Sequence, residues 1–91
     1  MSARRYRKRP IVVEAMQWTG YNAAQLRDWT VGAFHAVDPE DRTEDSDPTG
    51  DLLIAANNAH VGIETGEWII RDSKGFYPCK PDIFEQTYED V

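Results

Sequence analysis

One cysteine, Cys79, and two histidines, His35 and His60, are all this sequence offers of those residue types. A single thiol excludes an internal disulfide, so nothing requires an oxidising compartment. Two isolated histidines and one cysteine give no metal-ligand spacing, and no metal or other cofactor is expected. Long apolar runs are missing as well; none approaches the roughly 20 residues that span a bilayer. Behind the basic start, Ile11-Val12-Val13 gives way at once to Glu14, so no secretory leader is read there. Internal repeats are absent. These gaps describe a cytosolic chain with no membrane partner.

What is present fits one small domain. The 91 residues are 41% hydrophobic, with three Trp, four Tyr and three Phe, enough for a packed core and too much for wholesale disorder. A chain of this size hides only about 60% of its unfolded surface, so pairing with a second copy is a natural way to bury more. Charge is unevenly spread. Five of the ten basic residues (Arg4, Arg5, Arg7, Lys8, Arg9) precede Pro10, and no acid does; from Ile11 onward five basic residues face sixteen acidic ones, a balance of −11. The expected organisation is a basic N-terminal arm, 1–9, ahead of a compact domain, 10–91. An acidic body repels nucleic acid at long range, so general DNA binding is disfavoured.

Along the chain, Ile11 to Trp18 reads as a first strand with apolar residues on both faces. Asn22 followed by Gln25 has capping-box spacing, Tyr21 and Leu26 have staple spacing, and Gly32 is a natural helix-ending residue, which together predict a main helix over about 23–31. Short strands are expected at 33–37 and 52–56. Between them, 38–51 holds seven acids and no hydrophobic residue, the composition of a mobile, solvated loop. Two further strands, 59–64 and 67–72, flank Thr65-Gly66 and read as a hairpin. A short strand at 76–79, a helical turn opened by Pro81 and Asp82, and a terminal strand from Thr87 complete the pattern. The predicted fold is α+β: one small antiparallel sheet of five or six strands packed against the helix at 23–31, with a short C-terminal helical turn.

Chemistry-bearing motifs are sparse. Cys79, flanked by Pro78 and Lys80, has no local motif pairing it with either histidine, and it reads as a packing residue rather than a nucleophile. Asp45-Ser46-Asp47-Pro48-Thr49-Gly50 imitates the start of a calcium loop, but the twelfth position, which should be a bidentate Glu, is Ala56. No catalytic residues are expected. Two binding clusters remain. In the arm, Arg4, Arg5, Tyr6, Arg7, Lys8 and Arg9 combine phosphate-neutralising cations with one stacking aromatic. In the C-terminal third, Trp68 and Tyr77 beside Arg71 and Lys80 have the residue types that grip a nucleotide-like small molecule.

Two blocks carry a resemblance. Tyr6-Arg7-Lys8-Arg9-Pro10-Ile11-Val12-Val13-Glu14-Ala15-Met16-Gln17-Trp18 resembles the start of a family of small proteins encoded by tailed phages and prophages, notably those of actinobacteria. Gly66-Glu67-Trp68-Ile69-Ile70, and then Gly75 through Glu89 with its Phe-Tyr-Pro-Cys-Lys-Pro-Asp-Ile-Phe core, resembles that family's end. The resemblance implies a phage origin and a setting in the host cytoplasm, and it supplies no active site. It directs the expectation toward a non-enzymatic accessory protein that binds a host protein. The layout of the C-terminal third is also similar to that of small phage proteins that sequester cyclic signalling nucleotides, which makes a small-ligand sponge the second expectation. A nucleic-acid binder acting through the arm is the third.

Overall fold

In the computed structural model, which describes residues 3–7, 9–42 and 48–91, β1 runs from Glu14 to Gln17. It is shorter than the apolar run 11–18 because of its partner. Glu14 faces Arg71 and Gln17 faces Trp68 on an antiparallel strand, β5 (Trp68–Asp72), which then turns at Ser73-Lys74 into β6 (Gly75–Cys79). Continuing the register, Ile11 and Val12 would need partners at the turn itself, and strand pairing stops.

The remaining strands, β2 (Phe34–Ala36), β3 (Gly50–Ile54) and β4 (Ala59–Ile63), form a second antiparallel sheet. The expectation of one sheet on one main helix is therefore overturned. The six strands divide into two three-stranded sheets, ordered β1-β5-β6 and β2-β3-β4, with two helices of seven residues each. The cause lies at Thr65-Gly66. That link does not fold β5 back onto β4. Instead Gly66 N–H donates to Trp18 O (2.7 Å) and Trp18 N–H to Glu67 O (2.8 Å), so the chain leaving β4 is captured by the end of β1. A turn signal marks a reversal, but a distant backbone partner decides which sheet receives the next strand.

The core lies where both sheets contribute: Ile69 from the first, Phe34, Leu52 and Ile63 from the second, with Trp18 and Leu26. Trp18 and Phe34 meet with ring centroids 5.0 Å apart, and the Trp18 indole N–H donates to Thr49 Oγ1 at 2.9 Å. Because strand side chains alternate, Met16, Ile69 and Phe76 point to this core, while Trp68, Ile70, Tyr77 and Cys79 lie on the opposite face.

α1 spans Ala23–Trp29 and buries Leu26. Its ends differ from the sequence grammar. The Asn22 side chain does not cap the helix; Oδ1 accepts from Thr19 N–H at 3.0 Å and Nδ2 donates to Gln17 O at 2.8 Å, anchoring the turn after β1. Tyr21, 98% exposed, forms no staple. At the other end, Val31 N–H bonds Asp28 O and Gly32 N–H bonds Arg27 O. That is a Schellman pattern with Val31 (φ 56°) at the position where the glycine was expected, and Gly32 (φ 85°) follows it in the same region. Thr30 fixes the helix end to β2, its buried hydroxyl bonding Leu26 O (2.7 Å) and accepting from Phe34 N–H (3.0 Å).

A β-branched residue in left-handed backbone costs about 1–2 kcal/mol, and Val31 is too exposed to recover this by burial. Val31→Gly should stabilise the protein by about 1 kcal/mol after the entropy of the added glycine, raising Tm by about 4–8 °C. A thermal melt checks it; an unchanged or lower Tm contradicts the strain.

In the acidic segment, Pro39–Asp41 forms a 3-10 turn and Gly50 and Asp51 already belong to β3. The centre of the expected mobile loop and of the calcium-loop imitation, 43–47, falls outside the described residues. No terminal strand forms at 87–91. Residues 88–91 carry no regular element, and the helical turn expected at Pro81-Asp82 is a helix, α2 (Pro81–Thr87), which follows Lys80 with Pro81 in the first turn, where a missing N–H costs nothing.

Candidate functional site

The C-terminal cluster named by the sequence is split by the sheet. Trp68 and Tyr77 share the face turned toward α2, whereas Arg71 sits on the other face, at the margin of the core. Trp68 is not an open stacking platform: Phe84 of α2 lies parallel on it (centroids 4.0 Å, interplanar 7°), and Tyr88 follows at 5.1 Å from Phe84. Ile70, fully buried, lies on this same face. Residues 84 and 88, one helical turn apart, thus fasten the C-terminus to the outer face of the first sheet.

Both cations are engaged. Arg71 Nε donates to Glu14 Oε1 at 3.0 Å, its Nη2 contacts the same oxygen, and its guanidinium lies 5.3 Å from the Trp29 ring centroid. Lys80 Nζ stands 3.5 Å from Glu64 Oε2 and 3.7 Å from Glu67 Oε1. Glu67 is the buried acid of the pair, and its carboxylate also accepts the Glu64 N–H. Such arrangements tie the ends of β1, β5 and β6 together; Arg71 and Lys80 are both turned to carboxylates.

The Tyr77 hydroxyl is pushed up to about 12, first by burial and then by the neighbouring Tyr88 hydroxyl. A raised folded-state value means that the folded protein keeps a proton the unfolded chain releases. The associated stability is therefore present below about pH 10 and is lost as pH rises toward 12. Tyr77→Phe should flatten that alkaline loss, measured as urea midpoints across the range; an identical slope in the variant contradicts the assignment. At Cys79, burial and then Asp82 and Glu67 push the thiol upward, which disfavours the nucleophilic thiolate. The two histidines lie in the other sheet, on β2 and β4, where His60 Nδ1 pairs with Asp51 Oδ2 at 2.6 Å. Among the described residues, no group of three or more His, Cys, Asp or Glu is placed to hold a metal ion. Among them, too, no helix is long and apolar enough to cross a membrane.

The sequence reading missed a shallow cleft of about 350 Å³ between α1 and β2, lined by Ala23, Ala24, Arg27, His35 and Ala36. Only the small side chains hinted at it, and alanines in a helix read first as helix formers.

The arm is the other candidate. Arg4, Arg5, Tyr6, Arg7 and Arg9 are all exposed, Tyr6 at 87%. Lys8 lies outside the described residues. The exposure continues through Ile11 (74%) and Val12 (75%), apolar residues immediately upstream of β1. Among the described residues β1 is an edge strand, with β5 as its strand neighbour and its last carbonyl, Gln17 O, accepting from Asn22 Nδ2. An open strand edge continued by exposed apolar and basic residues is a surface suited to accepting another chain.

Comparison with protein-family models, with curated proteins and with solved structures finds no match.

Proposed function

We propose that this is a phage-encoded accessory protein that acts without catalysis, binding a host protein in the host cytoplasm and so altering host metabolism or defence. The phage setting rests on the resemblance of the two terminal blocks. The binding mode rests on one observation: the exposed segment formed by 3–7 and 9–12, basic and then apolar, leading through half-buried Val13 into the edge strand β1. The partner fitting it is a protein with an acidic surface beside a free strand edge, joined by main-chain hydrogen bonds and held in register by charge.

Capture of a host protein by the tagged full chain should be lost in Ile11→Asp/Val12→Asp, which changes only exposed side chains. Equal capture by wild type and variant overturns the reading. The sponge reading draws less support, since Trp68 is covered by Phe84 and Arg71 and Lys80 already face carboxylates. Nucleic acid, the third expectation from the sequence, moves ahead of the sponge because the exposed Tyr6 offers a stacking face between Arg5 and Arg7. If it holds, RNA or DNA affinity falls steeply with salt and vanishes without residues 1–9.

A further inference from the structure

Three observations bear on what covers the edge of β1 when no host protein is present. The first is the edge and its extension. With the backbone kept extended, side chains at 11 and 13 would continue the α2-facing row of Ala15 and Gln17, and Val12 the core-facing row of Glu14 and Met16. The apolar sequence run continues past the point where β5 turns away, although the strand itself begins at Glu14. The second is charge: residues before Pro10 carry five positive charges, and the rest of the same molecule carries a balance of −11. The third is where the negative charge sits. Asp82, Glu85, Glu89 and Asp90 are all exposed on α2 and the tail, and no basic residue occurs from Pro81 to Val91. Phe84 stacks on Trp68, and Trp68 pairs with Gln17, so this acidic helix lies at the Gln17 end of β1.

A strand that pairs antiparallel with β1, centred on 11–13, directs its own N-terminal residues toward that Gln17 end. We infer that the occupant is a second copy of this chain. Two molecules pair antiparallel about residues 11–13, so that Ala15 and Gln17 of each β1 face Arg9 and Arg7 of the other copy, and the two three-stranded sheets join through these lengthened strands into one of six. Each arm, through Arg5, Arg7 and Arg9, crosses the acidic α2 of its partner. The interface is isologous: every contact occurs twice. The inference rests on the reading above in assigning the arm a protein partner, and it adds regulation. The self-paired arm is withheld, so a host protein binds by displacing the second copy.

Analytical ultracentrifugation of the full chain at low and high salt tests this, with three variants whose folding is checked by circular dichroism. Wild type should be a dimer at low salt, its dissociation constant rising on the order of tenfold in high salt as the charge contacts are screened. Ile11→Asp/Val12→Asp should be monomeric with an unchanged spectrum. Arg5→Glu/Arg7→Glu/Arg9→Glu and Asp82→Lys/Glu85→Lys should each dimerise poorly alone. Mixed, they should form a heterodimer, because each reversed arm then meets a complementary helix. A wild-type monomer at all concentrations, or a dimer surviving Ile11→Asp/Val12→Asp, overturns the inference. No recovery on mixing overturns the placement of the arm on α2. The two readings fail separately: a monomer whose arm is still needed for host-protein capture removes only self-pairing, whereas a dimer whose arm variants capture as wild type does removes only the host role of the arm.

Discussion

Trp18→Ala should cost about 3–5 kcal/mol, bringing a domain of this size near its folding threshold, since total stability is roughly 5–14 kcal/mol for such a chain. Trp18 is 2% exposed and occupies the point where the two sheets meet. Its ring packs on Phe34, its indole N–H bonds Thr49 Oγ1, and its backbone N–H and C=O bond Glu67 and Gly66. The alanine variant keeps the backbone bonds but opens a cavity in the centre of the core. It also leaves the Thr49 hydroxyl to its remaining partner, Thr65 Oγ1 at 2.7 Å. Urea denaturation followed by circular dichroism reads the loss. A cost below about 2 kcal/mol would place Trp18 outside the central core.

Gly50→Ala should cost about 2 kcal/mol through crowding rather than vacancy. A Cβ at Gly50 would stand 2.8 Å from both Cε2 and Cζ of Phe34 and 3.3 Å from the Trp18 indole nitrogen. Phe34 is fully buried and cannot swing aside. The clash therefore has one named cause, and shortening that ring should relieve it. Phe34→Leu is destabilising alone, yet Phe34→Leu/Gly50→Ala should be more stable than the summed single effects by about 1 kcal/mol. Strict additivity would show that the cost of Gly50→Ala arises elsewhere. At Gly62 a Cβ would come closer still, 2.5 Å from Cγ of the Pro48 ring, and because that ring is closed onto the backbone any shift there moves the chain itself.

The elements best readable in the sequence are those whose causes are local. The β5–β6 hairpin follows from Ser73-Lys74-Gly75, and the start of α2 from Pro81. What depended on distant partners was not readable. β1 begins at Glu14 rather than Ile11 because β5 ends at Asp72 and turns opposite Ile11 and Val12. The Thr65-Gly66 turn leads between sheets because Trp18 captures Gly66 and Glu67. Asn22 has the chemistry of a cap, but a nearer pair of partners, Thr19 and Gln17, takes its side chain. The same holds at the candidate sites. Spacing groups Trp68, Arg71, Tyr77 and Lys80, but strand alternation sends Arg71 through the sheet, and the carboxylates that engage it and Lys80 come from β1 and from the β4–β5 link. The basic arm was legible because charge and exposure need no partner. The open edge beside it depended on sheet order.

The pairing of β1 with β5 also bears on the order in which the chain is assembled. Glu14 and Arg71 stand 57 residues apart, whereas β2, β3 and β4 are consecutive neighbours. Closing the longer loop costs more chain entropy before any contact repays it. The meander from 34 to 63 can therefore condense first, and the opening strand waits for the C-terminal third. During synthesis β1 leaves the ribosome before β5 and is placed only after it. Substitutions such as Leu52→Ala should slow folding, while Met16→Ala should mainly speed unfolding, a division that stopped-flow chevrons read directly. Until β5 arrives, Ile11 through Trp18 is an unpaired apolar strand. The five cations just ahead of it keep that strand from pairing indiscriminately with its neighbours while it waits.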